Sequence, residues 1–192
     1  DGGSMVIDSK GELIHELKYF SEDFRVVDIS DLSKKDNQVS VAPIEKIYDA
    51  LVLGISDYFS KCGFKTATLG LSGGIDSAVV AVLAVRALGA ENVRVLLMPS
   101  KYSSNHSIDD AVALAQNLGI EYQTVSIQKI VDEFELGMSP IFGDLPPDVS
   151  EENIQARTRG VLLMALSNKF GNILLNTSNK SETAIGYSTL YG

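Results

Sequence analysis

The stretch Leu69-Gly70-Leu71-Ser72-Gly73-Gly74-Ile75-Asp76-Ser77 decides how this chain is to be read. Residues 66–71, which run into it, are a short apolar segment of strand type. Residues 75–88 are apolar on nearly every side, as expected of a helix packed between layers. A glycine pair between a strand and a helix lets backbone approach a ligand closely and allows positive φ. The helix behind it offers unpaired N–H groups and a partial positive charge. Together these define an anion site suited to a pyrophosphate. Ser72 and Ser77 add hydroxyls. Asp76 falls in the first helical turn, where a carboxylate is stabilised and can hold Mg²⁺ against phosphate oxygens. Neither the GxxxxGK[ST] loop nor the GxGxxG fingerprint occurs here.

Working outward, Ile44, Ile47, Tyr48, Leu51 and Ile55 recur at spacings of three and four, which predicts an amphipathic helix stopping near Gly63. Residues 93–98 read as a second strand, halted by Pro99. Ser107 can cap a helix whose apolar face is Ile108, Ala111, Val112, Ala115 and Leu118, closed by Gly119. Residues 121–126 form a third strand, 127–134 a short helix and 142–150 a loop containing Pro146-Pro147. A long helix follows over 151–170 and a fourth strand over 172–177. Strands alternating with helices define an α/β fold: a doubly wound parallel sheet with helices on both faces. In such sheets ligands sit beyond the carboxyl ends of strands, where the strand order switches. The places to search are therefore after Leu71, after Met98 and after Asn176.

The first residues read differently. Met5-Val6-Ile7 and Phe24-Arg25-Val26-Val27 are short β-type runs separated by polar turns. Residues 1–30 are too few to build a core and are expected to be the tail of a larger domain. Residues 31–41 are polar and read as a linker, and 42–192 form the main domain. Over all 192 residues the apolar fraction is 45% and the charged fraction 21%, which excludes wholesale disorder. The single cysteine, Cys62, can form no internal disulfide and points to a reducing, cytoplasmic setting. With only His15 and His106 beside it, a structural zinc site is not expected. A net charge of −9 argues against nucleic acid as partner. No stretch is apolar and uncharged for long enough to predict a membrane span.

Ser72 to Ser77, as SGGxDS, resembles the PP-loop of the ATP pyrophosphatases, which cleave ATP between its α and β phosphates. Two further stretches narrow the resemblance. Glu152-Asn153-Ile154-Gln155-Ala156-Arg157-Thr158-Arg159-Gly160 opens the long helix, and Asn176-Thr177-Ser178-Asn179-Lys180-Ser181-Glu182 follows the fourth strand. With Met98-Pro99-Ser100-Lys101-Tyr102-Ser103-Ser104 after the second strand, residues 42–192 resemble NAD synthetase. The first thirty residues resemble the closing strands of a nitrilase-type glutaminase, which implies the long, glutamine-dependent form. On that resemblance the sheet is of the adenine nucleotide alpha hydrolase-like type. The resemblance further implies that the chain enters within a glutaminase tail and that more substrate-binding residues lie beyond Gly192.

The resemblance implies that Gly70, Leu71, Ser72, Gly73, Gly74, Ile75, Asp76 and Ser77 bind the phosphates of ATP, with Thr177 a further ATP contact. It implies that Asp76 holds Mg²⁺ and that Glu182 is a catalytic carboxylate at the metal or substrate. Asn153, Arg157 and Tyr187 fall to deamido-NAD. The implied reaction is ATP-dependent amidation of deamido-NAD to NAD through an acyl adenylate, with ammonia from glutamine and release of AMP and pyrophosphate. A homo-oligomer is implied too. Another PP-loop enzyme, such as a GMP synthetase or a tRNA-thiolating enzyme, and a nucleotide-binding module without turnover are the alternatives. The NTSNKSE stretch favours NAD synthetase. Independently of the resemblance, Arg157 and Arg159 stand about 200° apart on a helix, so only one can face a given pocket. Arg157 shares a face with Asn153, and although a helix arginine alone reads as a solvated charge, the resemblance makes it the expected ligand. Arg159 reads equally well as a solvated charge. Lys101 and Lys180 read either as phosphate partners or as solvated lysines.

Overall fold

The computed structural model describes residues 2–32 and 42–189, so most of the 31–41 linker lies outside the described residues. The chain divides into two compact units, 1–57 and 58–192.

In the first unit β1 (Met5–Ile7) pairs antiparallel with β2 (Leu13–Glu16). The turn between them is closed by Asp8, whose Oδ1 accepts the N–H groups of Lys10 and Glu12 at 2.8 Å each. Ile14 and His15 are the buried side chains of this hairpin, and Lys46 Nζ lies 3.8 Å from the Tyr19 ring centroid. The expected strand over 24–27 does not form. A strand needs a partner, β1 has already taken β2, and Phe24 and Val26 stand exposed. Helix α1 (Pro43–Cys62) runs through the division between the units and ends at Gly63, as its spacing predicts. Ile44, Ile47 and Leu51 of its expected apolar face are exposed, and Phe59 is its buried residue.

The second unit continues with β3 (Ala67–Gly70), α2 (Ile75–Leu88), β4 (Val93–Leu97), α3 (Asn105–Leu118) and β5 (Glu121–Thr124). Then come α4 (Gln128–Phe142), α5 (Val149–Phe170), β6 (Ile173–Leu174) and α6 (Lys180–Ile185). The sheet is parallel throughout, in the order β5-β4-β3-β6, with Leu69 opposite Val95, Val95 opposite Tyr122 and Thr68 opposite Leu174. The chain moves outward from β3 to β5 and then returns to the far side of β3. Right-handed crossovers require helices of the outward and return paths to cover opposite faces.

Side-chain alternation shows that they do. Leu69, Leu71, Val95 and Leu97 pack with Ala81, Ala84, Ala111 and Ala115 of α2 and α3. Leu96 and Met98, one residue out of phase, pack with Ile127 and Val131 and against Ile154, Leu162, Leu163 and Leu166 of α5. Each fully buried Leu or Val of these strands contributes roughly 1.5–3 kcal/mol of transfer free energy.

The strands are shorter than expected, with β3 at Ala67–Gly70, β5 stopping at Thr124 and β6 reduced to Ile173–Leu174, and three helix ends differ for visible reasons. Helix α3 starts at Asn105 because Ser104, not Ser107, is its cap, with Oγ accepting from Ser107 N at 3.1 Å. Helix α4 continues past 134 to Phe142 with Pro140 inside it; Ser139 Oγ donates to Leu136 O at 2.9 Å, the carbonyl four residues before the proline. Helix α5 takes in Val149 and Ser150, since Asp148 and Glu151 form a capping box.

Candidate functional site

The loop joining β3 to α2 is braced by its own serines. Ser77 is buried, and its Oγ donates to Gly74 O at 3.0 Å, accepts from Ser72 N at 3.2 Å and meets Ser72 Oγ at 3.0 Å. Ser72 Oγ accepts from Gly74 N at 3.1 Å. The two glycines differ. Gly73 has φ +83°, whereas Gly74 is extended with φ −87°, so only Gly73 needs the left-handed region. Gly74 is the N-cap of α2 and offers no side-chain cap, which leaves the first-turn N–H groups open to a ligand.

A cavity of about 800 Å³ opens at the carboxyl ends of β3, β4 and β6. Its walls include Gly70, Leu71 and Ser72 after β3, Leu97, Met98 and Pro99 after β4, and Asn176, Thr177 and Ser178 after β6. These are the three strand ends at which the switch in strand order placed a site. Ser103 and Ser107 at the start of α3, Ser188, and Ala156, Arg159, Gly160 and Leu163 of α5 complete it. The lining is apolar toward Leu97, Ile108 and Leu163 and carries hydroxyls toward Ser72, Thr177 and Ser188. That combination suits a ligand with a flat apolar part and an anionic part.

Gly70, Leu71, Ser72 and Thr177 are thus brought together in one cavity. Gly73, Gly74, Ile75, Asp76 and Ser77 continue the same loop into α2 but do not line it. Asp76 is exposed and makes no hydrogen bond or ion pair among the described residues. Glu182 is half-buried; it forms the capping box of α6, its Oε2 accepting from Asn179 N at 3.0 Å while Asn179 Oδ1 accepts from Glu182 N at 2.9 Å. Asn153, Arg157, Glu182 and Tyr187 are not among the lining residues. Glu182 and Tyr187 lie along one stretch of chain beside the cavity, and Arg157 of α5 reaches the same stretch. Tyr187 N donates to Glu182 O at 2.8 Å, Ser188 faces the cavity, and Thr189 Oγ1 accepts from Arg157 Nη2 at 2.8 Å.

Arg157 is exposed; the arginine in the cavity is Arg159. Arg159 Nε donates to Met98 O at 3.2 Å, and burial holds the guanidinium pKa below its ordinary value. The sequence singled out neither the cavity role of Arg159 nor the serines at 103, 107, 178 and 188. For Arg159 a signal existed: Ala156, Arg159, Gly160 and Leu163 recur at helical spacing.

An alternating α/β sheet with a glycine loop, an open helix start and a switch-point cavity is the arrangement of a nucleotide-binding protein. The family model for NAD synthase matches residues 47–192, and the chain belongs to that family. A curated relative from Synechocystis, a glutamine-dependent NAD(+) synthetase, is 51% identical over 197 residues that cover all of this chain and 35% of the relative. A glutamine-dependent NAD+ synthetase from Acinetobacter baumannii, solved with ADP, superimposes with a TM-score of 0.94 at 42% identity. That match covers all of this chain and 37% of that one. An NH3-dependent NAD synthetase from Campylobacter jejuni reaches a TM-score of 0.71 at 38% identity, over 79% of this chain and 64% of its own. The chain therefore spans about a third of the length of the curated relatives it matches.

Proposed function

We propose that residues 42–192 belong to the synthetase part of a glutamine-dependent NAD synthetase and that residues 1–30 are the tail of its glutaminase part. The carrying observation is the cavity at the carboxyl ends of β3, β4 and β6, with the SGGxDS loop on one side and Thr177 on the other. The N-terminal assignment is supported by a match to the glutamine-dependent relative along the whole chain, against 79% for the NH3-dependent structure.

In this reading ATP enters the cavity with its phosphates toward Ser72 and the open N-terminus of α2. Thr177 donates from the β6 side. The carboxylate of deamido-NAD, approaching from the rim formed by Arg157 and Tyr187, attacks the α-phosphorus, and pyrophosphate leaves. Ammonia derived from glutamine then attacks the acyl adenylate, giving NAD and AMP. The chain's contribution is positioning and charge, which is what phosphoryl transfer demands.

Asp76 and Glu182 would hold Mg²⁺. Both carboxylate oxygens of Asp76 are uncommitted among the described residues, and Glu182 uses Oε2 in its capping box. No group of three or more potential metal ligands occurs among the described residues, which fits an ion held by one or two carboxylates and the phosphates themselves. When bound, the ion neutralises charge on the pyrophosphate as it leaves. A homo-oligomer in the cytoplasm is part of the same proposal, and no described helix is long and apolar enough to cross a membrane.

The test is product analysis. Incubation of the full-length protein that carries this chain with ATP, Mg²⁺, deamido-NAD and either glutamine or ammonia should yield NAD, AMP and pyrophosphate in equal amounts. Release of ADP and phosphate instead, or nucleotide binding with no deamido-NAD-dependent pyrophosphate, overturns the assignment.

A further inference from the structure

The cavity has an electrostatic peculiarity. The chain carries a net charge of −9, yet no carboxylate stands among the described residues lining the cavity, and Arg159 is the one charged side chain there. Its half-buried guanidinium has no ion pair among the described residues. Its recorded hydrogen bond is from Nε to the Met98 carbonyl, which leaves the terminal N–H groups of the fork. A neutral donor could serve that carbonyl equally well, without the cost of taking a charge partly out of water. An anion from outside the protein would account for the charge.

Resting on the nucleotide reading above, we propose that Arg159 binds a phosphate oxygen of the nucleotide in this cavity, with Met98 O fixing the guanidinium so that its outer edge meets the ligand. A guanidinium anchored at one nitrogen keeps its fork for paired phosphate oxygens. The hydroxyls of Ser72 and Thr177 lie in the same walls, so the anion would be gripped from β3, α5 and β6 at once. The assignment gives the two arginines of the ARTR segment separate duties: Arg159 for the nucleotide inside the cavity, Arg157 for the rim.

The experiment is calorimetric titration of the full chain with ATP and with adenosine, for the wild type, Arg159→Gln and Arg159→Lys, each checked for folding by circular dichroism. Adenosine lacks the phosphates, so it reports the apolar part of the cavity alone. Arg159→Gln retains an N–H for Met98 and should weaken ATP roughly tenfold or more, the scale of one lost charged hydrogen bond, with adenosine unchanged. Arg159→Lys keeps the charge without the fork and should lose ATP affinity several-fold, again without loss of adenosine. It decides the matter alone should the glutamine variant not fold. Equal losses of ATP and adenosine would show that Arg159 merely latches α5 to β4, and unaltered ATP affinity would likewise overturn the proposal. A wild-type chain that binds no ATP would overturn the nucleotide reading itself, and the role of Arg159 with it.

Discussion

Gly73 sits directly on Ser107: a Cβ at Gly73 would lie 2.1 Å from the carbonyl oxygen of Ser107. The loop that follows β3 and the first turn of α3 are therefore in backbone contact. Gly73→Ala meets two obstacles at once. Its φ of +83° costs a side chain about 1–3 kcal/mol, and the contact forces the loop or α3 to shift. The expected result is a lower melting temperature together with lost ATP binding. A variant with wild-type stability would disprove the close seating.

Gly74 should behave otherwise. Its φ is −87°, and a Cβ there meets only Ser72 Oγ at 3.2 Å. Gly74→Val should leave the protein folded while its side chain obstructs phosphate at the start of α2. Titration calorimetry on the folded variant checks this, with unchanged ATP affinity as the adverse outcome.

Ser77 is a brace rather than a cavity residue. Ser77→Ala removes the hydroxyl that ties Ser72 N to Gly74 O, and should cost about 1–2 kcal/mol. A looser loop should raise the KM for ATP more than it lowers kcat. Chemical denaturation and steady-state kinetics measure the two effects separately.

Asp76→Asn should lower the melting temperature only slightly, since the carboxylate is exposed, makes no hydrogen bond or ion pair among the described residues, and loses only its interaction with the start of α2. Pyrophosphate release should fall by orders of magnitude if the carboxylate holds Mg²⁺. Arg157→Ala should raise the KM for deamido-NAD far more than that for ATP, because Arg157 stands at the rim on Thr189. Raising the KM for ATP alone would move Arg157 out of the substrate role.

The start of α5 should be acid-sensitive. The backbone N–H of Ser150 donates to Asp148 Oδ1 at 2.7 Å and holds the Asp148 carboxyl below its ordinary 3.8. A lowered native pKa means the stabilisation is present above the unfolded value and is lost as the pH falls through the native one. Asp148→Asn keeps an acceptor for Ser150 but cannot titrate. The variant's stability, followed by circular dichroism between about pH 2 and pH 6, should show a flatter acid limb than the wild type.

The sequence disclosed the sheet and the three strand ends because both rest on local chemistry. Leu69 and Leu71 alternate against Leu96 and Met98, and Gly73-Gly74 punctuates the step from β3 to α2. It disclosed less of α5, which mixes apolar and polar residues around its whole circumference, so that Arg157 ranks above Arg159 by sequence although Arg159 is the one that lines the cavity. Only packing on β4, through Leu162, Leu163 and Leu166, turns Arg159 toward Met98. The different backbone angles of Gly73 and Gly74 were also hidden, since Gly73 lies against Ser107 of α3, about thirty residues on, whereas Gly74 is the N-cap of α2, where a Cβ would meet only Ser72. At the N-terminus the β-type composition of 24–27 misled, because strand formation depends on a neighbour that composition does not reveal.

The carboxyl end of β4 has a consequence for what a ligand must strip away on entry. Its successive carbonyls are all engaged: Leu96 O with Leu71 N, Leu97 O with Val125 N, Met98 O with Arg159 Nε and Pro99 O with Ile127 N, at 2.9–3.2 Å. Carbonyls already turned to protein donors need no water to satisfy them. This wall is dry by construction, and a molecule laid against it displaces little tightly held water. The dehydration penalty for entering the cavity then falls on the hydroxyl-bearing side and on the terminal N–H groups of Arg159, where the incoming oxygens replace the water they expel.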